Sequence, residues 1–277
     1  MLVPRARFCT ALGLALLFTV GAGRAKEPTF STIDVPGAFS TAAFGINPSG
    51  DIVGGYQFAG QMHGFLLSHG ELTTIDVPGA SLTQALGINP QGEVVGVYNN
   101  ATGGHGFLLD KGEFTTIDIP GAFGTTPFGI NPRGDIVGNY TRPNGVPHGF
   151  LLRDGALTTI DIPGAFNTTA FGINPRGDIV GQYVNATGTH GFLLDSGAIT
   201  TIDVPGAFFT SAHGVNPRGS IVGNYANASG GHGFLLTAGR LTTIDAPGAS
   251  DTIAFGINPE GDIVGVYQSF HAFLLSR

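Results

Sequence analysis

The chain has 277 residues, with 12 lysines and arginines against 19 acids, a net charge of −7 and a single cysteine. That balance argues against nucleic acid and anionic lipid as partners, and one thiol closes no intramolecular disulfide. Its 46 glycines, 17 prolines and 21 phenylalanines, without a long helical period, predict an all-β chain of short strands and tight turns.

Residues 1–25 read as an export signal. Arg5 and Arg7 precede the apolar run 11–20, and Gly21-Ala22-Gly23-Arg24-Ala25 offers small residues for cleavage after Ala25. The run is too short for a bilayer, which needs about 20 apolar residues, so no transmembrane anchor is expected after cleavage. Three arginines, no acid and the lone Cys9 leave with it, so 252 residues remain, carrying −10 and no thiol. The expected location is periplasmic or extracellular, and packing and strand pairing alone must hold the fold together.

From residue 26 one pattern recurs over a single expected domain, 26–277. Thr-Ile-Asp-x-Pro-Gly-Ala places its aspartate at Asp34, Asp76, Asp118, Asp161, Asp203 and Asp245, at spacings of 42, 42, 43, 42 and 42. Each period predicts four strands. The first ends at Asn47, Asn89, Asn131, Asn174, Asn216 or Asn258, and the second carries Tyr56, Tyr98, Tyr140, Tyr183, Tyr225 or Tyr267. The third begins at His63 and its equivalents, and the fourth runs 72–77 in the first period. Asn47-Pro48-Ser49-Gly50 turns the first strand into the second. His69-Gly70, Lys111-Gly112, Asp154-Gly155, Ser196-Gly197 and Ala238-Gly239 are two-residue hairpin loops between the third and fourth.

These repeats predict a six-bladed β-propeller of ~42-residue, four-stranded blades. The last blade takes three strands from the C-terminal end and its fourth from Phe30–Val35. A parallel β-helix is the competing architecture, but its repeats are shorter and give no reason to divide one repeat between two termini.

The hairpin register then pairs side chains. With 68–71 as the turn, Leu67 faces Leu72 and His63 faces Asp76. The same rule pairs His105 with Asp118, His148 with Asp161, His190 with Asp203 and His232 with Asp245, and His271 meets Asp34 across the closure. Histidine and aspartate serve catalysis and metal binding, yet a group repeated in every blade lies on six separate radii, where one site cannot use six copies. The pairs are read as fasteners of the outer hairpins. Asp51, Glu93, Asp135, Asp178 and Asp262, each after a turn glycine, are read the same way. Arg133-Gly134-Asp135 and Arg176-Gly177-Asp178 are copies of that turn rather than adhesive tripeptides, and Arg133, Arg176 and Arg218 are expected to form a basic arc on one face.

Gly-Ile-Asn-x-x-Gly-Asp-Ile-Val-Gly followed by His-Gly-Phe-Leu-Leu, with His271-Ala272-Phe273 in the last copy, resembles the HAF-repeat family of extracellular bacterial repeat proteins. Glycine replaces the middle alanine in five of the six copies. The resemblance implies an exported bacterial repeat protein and brings no catalytic residue with it. The first hairpin is also similar to that of NHL-type propellers, which implies that strand one is innermost.

A single site in such a ring needs positions that differ between blades. The loops after strand four carry Phe39, Phe123, Phe166 and Phe208, where the other two copies have Ser81 and Ser250; Asn167 and Asp251 follow in two of them. The loops between strands two and three carry Asn100, Asn185 and Asn227. With strand one innermost, both sets emerge on one face. The phenylalanines are expected to fill space between blades; the alternative is that they and the asparagines bind a neutral hydroxylated or peptide ligand. His213 stands where the other copies have Phe44, Leu86, Phe128, Phe171 and Phe255. It is expected to be a tolerated substitution in a buried interface, or else to line the channel near Asp251 and Asn167 as a base or ligand. No metal or cofactor motif is present. The reading is a monomeric, non-catalytic propeller binding a neutral glycan, peptide or protein, with a propeller hydrolase or lyase and a surface scaffold as alternatives.

Overall fold

The computed structural model describes residues 28–268 and 270–277, so the predicted export signal lies outside the described residues. Every element among them is a β-strand. In the first period Ser40–Ile46, Ile52–Phe58, Gln61–Ser68 and Glu71–Ile75 pair antiparallel in chain order. The same four-stranded order recurs as far as Arg240–Ile244. The last unit, Thr252–Ile257, Ile263–Tyr267 and His271–Ser276, is completed by Thr29–Thr32, whose Phe30 opposes Leu275 and whose Thr32 opposes Phe273.

The hairpin loops explain the register. His69 and Gly70 both have positive φ, 51° and 83°, the geometry of a type I′ turn whose twist matches that of the flanking strands. The fourth strand stops at Ile75, two residues short of the sequence expectation. Asp76 leaves the ladder to meet His63, and the Val77 N–H donates to Thr83 Oγ1 in the next unit instead.

The hydrophobic core lies between consecutive units. Val53 of the first packs with Ala85, Val94 and Phe107 of the second, and Val264 and Ala272 of the last pack with Ala43 and Phe65 of the first. Phe65, Phe107, Phe150, Phe192, Phe234 and Phe273 are fully buried. On the inner strands backbone meets backbone. A Cβ added at Gly87 would fall 2.6 Å from the Phe128 carbonyl oxygen, and one at Gly256 would fall 2.9 Å from that of Phe44. Only glycine permits this approach. The contact passes from each inner strand to the next and returns from the last to the first.

The asparagine ending each inner strand stitches the turn face. Asn47 Oδ1 accepts from the Ser49 and Asp51 N–H groups, while its Nδ2 donates to Asp51 Oδ2 at 2.9 Å and to the Asn89 carbonyl of the next unit at 3.5 Å. Asn89, Asn131, Asn174 and Asn216 reach across in turn at 3.2–3.4 Å. This bonding explains the Asn-x-x-Gly-Asp spacing: the carboxylate holds the amide that holds the neighbouring unit.

Closure joins the ladder between Thr29–Thr32 and His271–Ser276 to a bond from the Ile33 N–H to the Ala272 carbonyl and a ring contact of Phe30 with Phe273. Tyr267 Oη lies 2.9 Å from Thr32 Oγ1, and His271 Nδ1 lies 2.7 Å from Asp34 Oδ2. Asp34→Ala is expected to lower the melting temperature more than Asp118→Ala, because Thr29–Thr32 has no hairpin loop to hold it to its one sheet neighbour, whereas Glu113–Ile117 is joined to its own through Lys111-Gly112. Equal shifts in parallel thermal melts would contradict the closure role.

Candidate functional site

Each inner strand carries a β-bulge. The register slips between Ala43 and Gly45, and likewise around Leu86, Phe128, Phe171, His213 and Phe255. A bulge re-aims the extra residue, here toward the axis. These six side chains are half-buried, whereas the alanine before five of them is fully buried, so the six face a lumen that solvent reaches. Together they line an axial cavity of about 100 Å³, and a second of similar size is also lined by the glycine and Ile or Val that follow each of them.

His213 is the polar member of this ring. Its imidazole lies 4.7 Å from the Phe171 ring and 5.0 Å from the Phe255 ring by centroid, and Nε2 donates to Asn224 Oδ1 at 2.9 Å. The interface expected from the sequence is therefore corrected: the side chain faces the axis. Asp251 and Asn167 do not join it. Asn167 opens one inner strand and Asp251 lies just before another, each four residues ahead of its axial position, about 13 Å at the strand rise. Asp251 bridges Gly231 and accepts from Ser250 Oγ, and Asn167 opposes Val184.

The loop face is the second candidate. The backbone N–H groups of Phe39, Phe123, Phe166 and Phe208 donate to carbonyls at the ends of second strands, which brings the two loop sets together. The four rings are 64–72% exposed, which overturns the expectation that they fill space between sheets. The cause is local. A turn bond from the Ala38 N–H to the Val35 carbonyl directs Ala38 onto the core, and the next residue, Phe39, points away. Ala80, Ala122, Ala165 and Ala207 take the same inward place. Phe39 also meets Phe270 edge-on at 5.5 Å.

The asparagines of the neighbouring loops are partly spent. Asn100, Asn185 and Asn227 each accept through Oδ1 from the backbone N–H and the hydroxyl of Thr102, Thr187 or Ser229. Those hydroxyls also touch Nε2 of His105, His190 and His232 at 2.8–2.9 Å. Ser229, His232 and Asp245 thus stand in the order of a hydrolytic triad. The hydroxyl proton, however, goes to the amide oxygen at 2.6 Å, the opposite of nucleophile activation.

The remaining paired groups hold sheets. His63, His105, His148, His190 and His232 sit 2.9 Å from Asp76, Asp118, Asp161, Asp203 and Asp245, and each ring lies against a tyrosine. Asp135 is 3% exposed and receives Asn131, Arg133 and Arg153. Burial alone would raise its carboxyl, but the bonds from Arg153, Asn131 and Arg133 outweigh that and hold it below the ordinary carboxylate value. Arg133-Gly134-Asp135 is therefore tied to itself. The basic arc is largely neutralised, since Arg176 likewise binds Asp178. Among the described residues no group of three His, Cys, Asp or Glu is placed to hold a metal ion.

Aromatic neighbours crowd the His213 ring even where its edge reaches the narrow lumen. Burial pushes it from 6.5 down to about 4, with the Asn224 bond opposing. The unfolded histidine takes its proton near 6.5 and the folded one only near 4, so its contribution to stability is complete above 6.5. It is lost as pH falls between the two, by about 3 kcal/mol in all. His213→Phe, the residue of four other units, is expected to flatten the melting temperature over that window. Parallel pH curves for the two proteins would contradict this.

No protein-family model and no curated protein sequence matches the chain. Solved structures resemble its fold. A catalytically inactive virginiamycin B lyase from Staphylococcus aureus, solved with quinupristin, is similar at a TM-score of 0.55 and 15% identity, over 91% of this chain and 100% of that one. TolB from Acinetobacter baumannii gives 0.59 and 13% over 88% and 65%. The Aleuria aurantia lectin, solved with Fucα1-6GlcNAc, gives 0.53 and 13% over 83% and 88%. At these identities the likeness establishes an all-β, propeller-type fold.

Proposed function

We propose that this chain is an exported, non-catalytic six-bladed β-propeller of the HAF-repeat kind that binds a neutral glycan, a peptide or a protein through its loop face. The observation that carries this reading is the set of Phe39, Phe123, Phe166 and Phe208, exposed at equivalent loop tips. Four large apolar side chains left in water at equivalent loop positions support an interaction surface on that face. Covering one phenylalanine contributes about 2 kcal/mol, and four equivalent rings on a rigid frame add their contributions by avidity.

The polar part of the face favours neutral partners. Apart from Arg142, the loops that alternate with the phenylalanines present asparagine, threonine, serine and glutamine rather than charge, a surface suited to hydroxyl and amide groups. Propeller-type neighbours include a lectin solved with Fucα1-6GlcNAc, so the fold accommodates glycan recognition. A non-catalytic role fits the bonding of the repeated acids and histidines, which are engaged in holding sheets and turns. The separation of His213 from Asp251 argues against the most direct enzyme alternative.

The test replaces Phe39, Phe123, Phe166 and Phe208 by serine together and screens both proteins on arrays of neutral glycans and peptides. The expected result is binding by the parent, at least a tenfold loss in the variant, and a melting temperature changed by no more than a few degrees. Undiminished binding would refute the proposed face, and collapse of the fold would show that the rings serve packing instead.

A further inference from the structure

The axial ring supports an inference independent of the loop face. Five of its six members are apolar, and the sixth, His213, sits at a bulge with one nitrogen already committed. Because Asn224 Oδ1 can only accept, Nε2 is the protonated nitrogen and Nδ1 keeps its lone pair. Nδ1 makes no hydrogen bond and is not among the unpartnered atoms that are shut away from solvent. It is therefore an unengaged acceptor on a ring that lines the lumen. Asparagine recurs at this position as Asn139 of the third unit and the fourth has Gln182, whereas the first, second and last units have Gly55, Val97 and Val266; His213 alone supplies an axial partner for it.

We propose that the axial cavity binds a small neutral molecule, or the tip of a side chain, that has an apolar ring and one O–H or N–H group, with that group donating to His213 Nδ1. The ring must span both cavities: each is about 100 Å³, they share the same six side chains, and benzene takes an apolar cavity of about 150 Å³. Phe44, Phe128, Phe171, Phe255 and Leu86 supply contact with the ring. The single acceptor distinguishes a phenol or an indole from a plain hydrocarbon.

Charge is excluded by the lining. An ammonium ion would give up its hydration for one acceptor and a few phenylalanine faces, which return less than desolvation costs. An anion would find no cationic donor. A neutral donor loses little on entry and gains one hydrogen bond, worth about 1 kcal/mol net and hence roughly a fivefold to tenfold preference over an isosteric hydrocarbon.

The experiment measures dissociation constants of phenol, toluene and methylammonium for the wild-type chain, His213→Leu and Asn224→Val. Leucine already occupies the axial position at Leu86 and valine the second position at Val97, so both variants keep residues that the repeat accommodates. Wild type is expected to bind phenol fivefold to tenfold more tightly than toluene and methylammonium not at all. In His213→Leu the preference should vanish while toluene binding persists, and Asn224→Val should weaken phenol binding alone by freeing the imidazole to turn. Equal affinities for phenol and toluene in wild type, a preference that survives His213→Leu, tighter binding of methylammonium, or no binding by either ring compound would each overturn the proposal. None of these outcomes depends on the loop-face phenylalanines, so failure here leaves that reading standing.

Discussion

The close approach of inner-strand backbones at six glycines is the constraint on which the rest of this structure depends. With no Cβ at Gly45, Gly87, Gly129, Gly172, Gly214 and Gly256, each inner strand reaches the carbonyl of the residue before the next unit's glycine. That contact sets how tightly the units gather about the axis. It also determines what the flanking residues do. The residue before each glycine is bulged and has nowhere to point except the lumen. The asparagine two residues after it falls within reach of its counterpart in the next unit.

Around that centre the work is divided by radius. At the inner end, glycine contact and asparagine stitching join neighbouring units. In the middle, phenylalanines such as Phe65 and Phe107 fill the space between sheets, where burial of roughly 2–3 kcal/mol each supplies the main driving force. At the outer end, the tyrosine to threonine bonds at 2.9–3.0 Å and the histidine to aspartate pairs fix the last strand. Those outer pairs are exposed, and their value lies in register more than in energy. The histidines and aspartates that recur from unit to unit are spent in this way. The surfaces left for recognition are the rings on the loop face and the axial cavity.

Much of this architecture was legible in the sequence because it obeys short-range rules. Two-residue loops such as His69-Gly70 fix a hairpin register, and through it which histidine meets which aspartate. The phenylalanines of the loops were not legible, because Phe39 and Ala38 differ in direction only through a turn bond that composition does not announce. The axial ring was legible only at His213, where lining the channel was one of two readings. A bulge shifts the alternation of a strand by one residue, so Phe44 and His213 look like interface residues until the slip is seen. The asparagine stitching left a signal in the constant Asn-Pro-x-Gly spacing, followed by aspartate in four of six copies, but its reach into the next unit is a tertiary fact that no local pattern encodes.

The central claim is that glycine is required where inner backbones touch, and strand Gly124–Ile130 contains its own control. A Cβ at Gly129 would fall 2.7 Å from the Phe171 carbonyl, whereas one at Gly124 meets nothing nearer than 3.5 Å. Thermal denaturation of Gly129→Ala beside Gly124→Ala is the most direct measurement. The account predicts that Gly129→Ala melts several degrees lower, consistent with a cost of about 1–3 kcal/mol for forcing atoms into a packed site. Gly124→Ala should melt within about a degree of the parent. Equal melting of the two variants would contradict it.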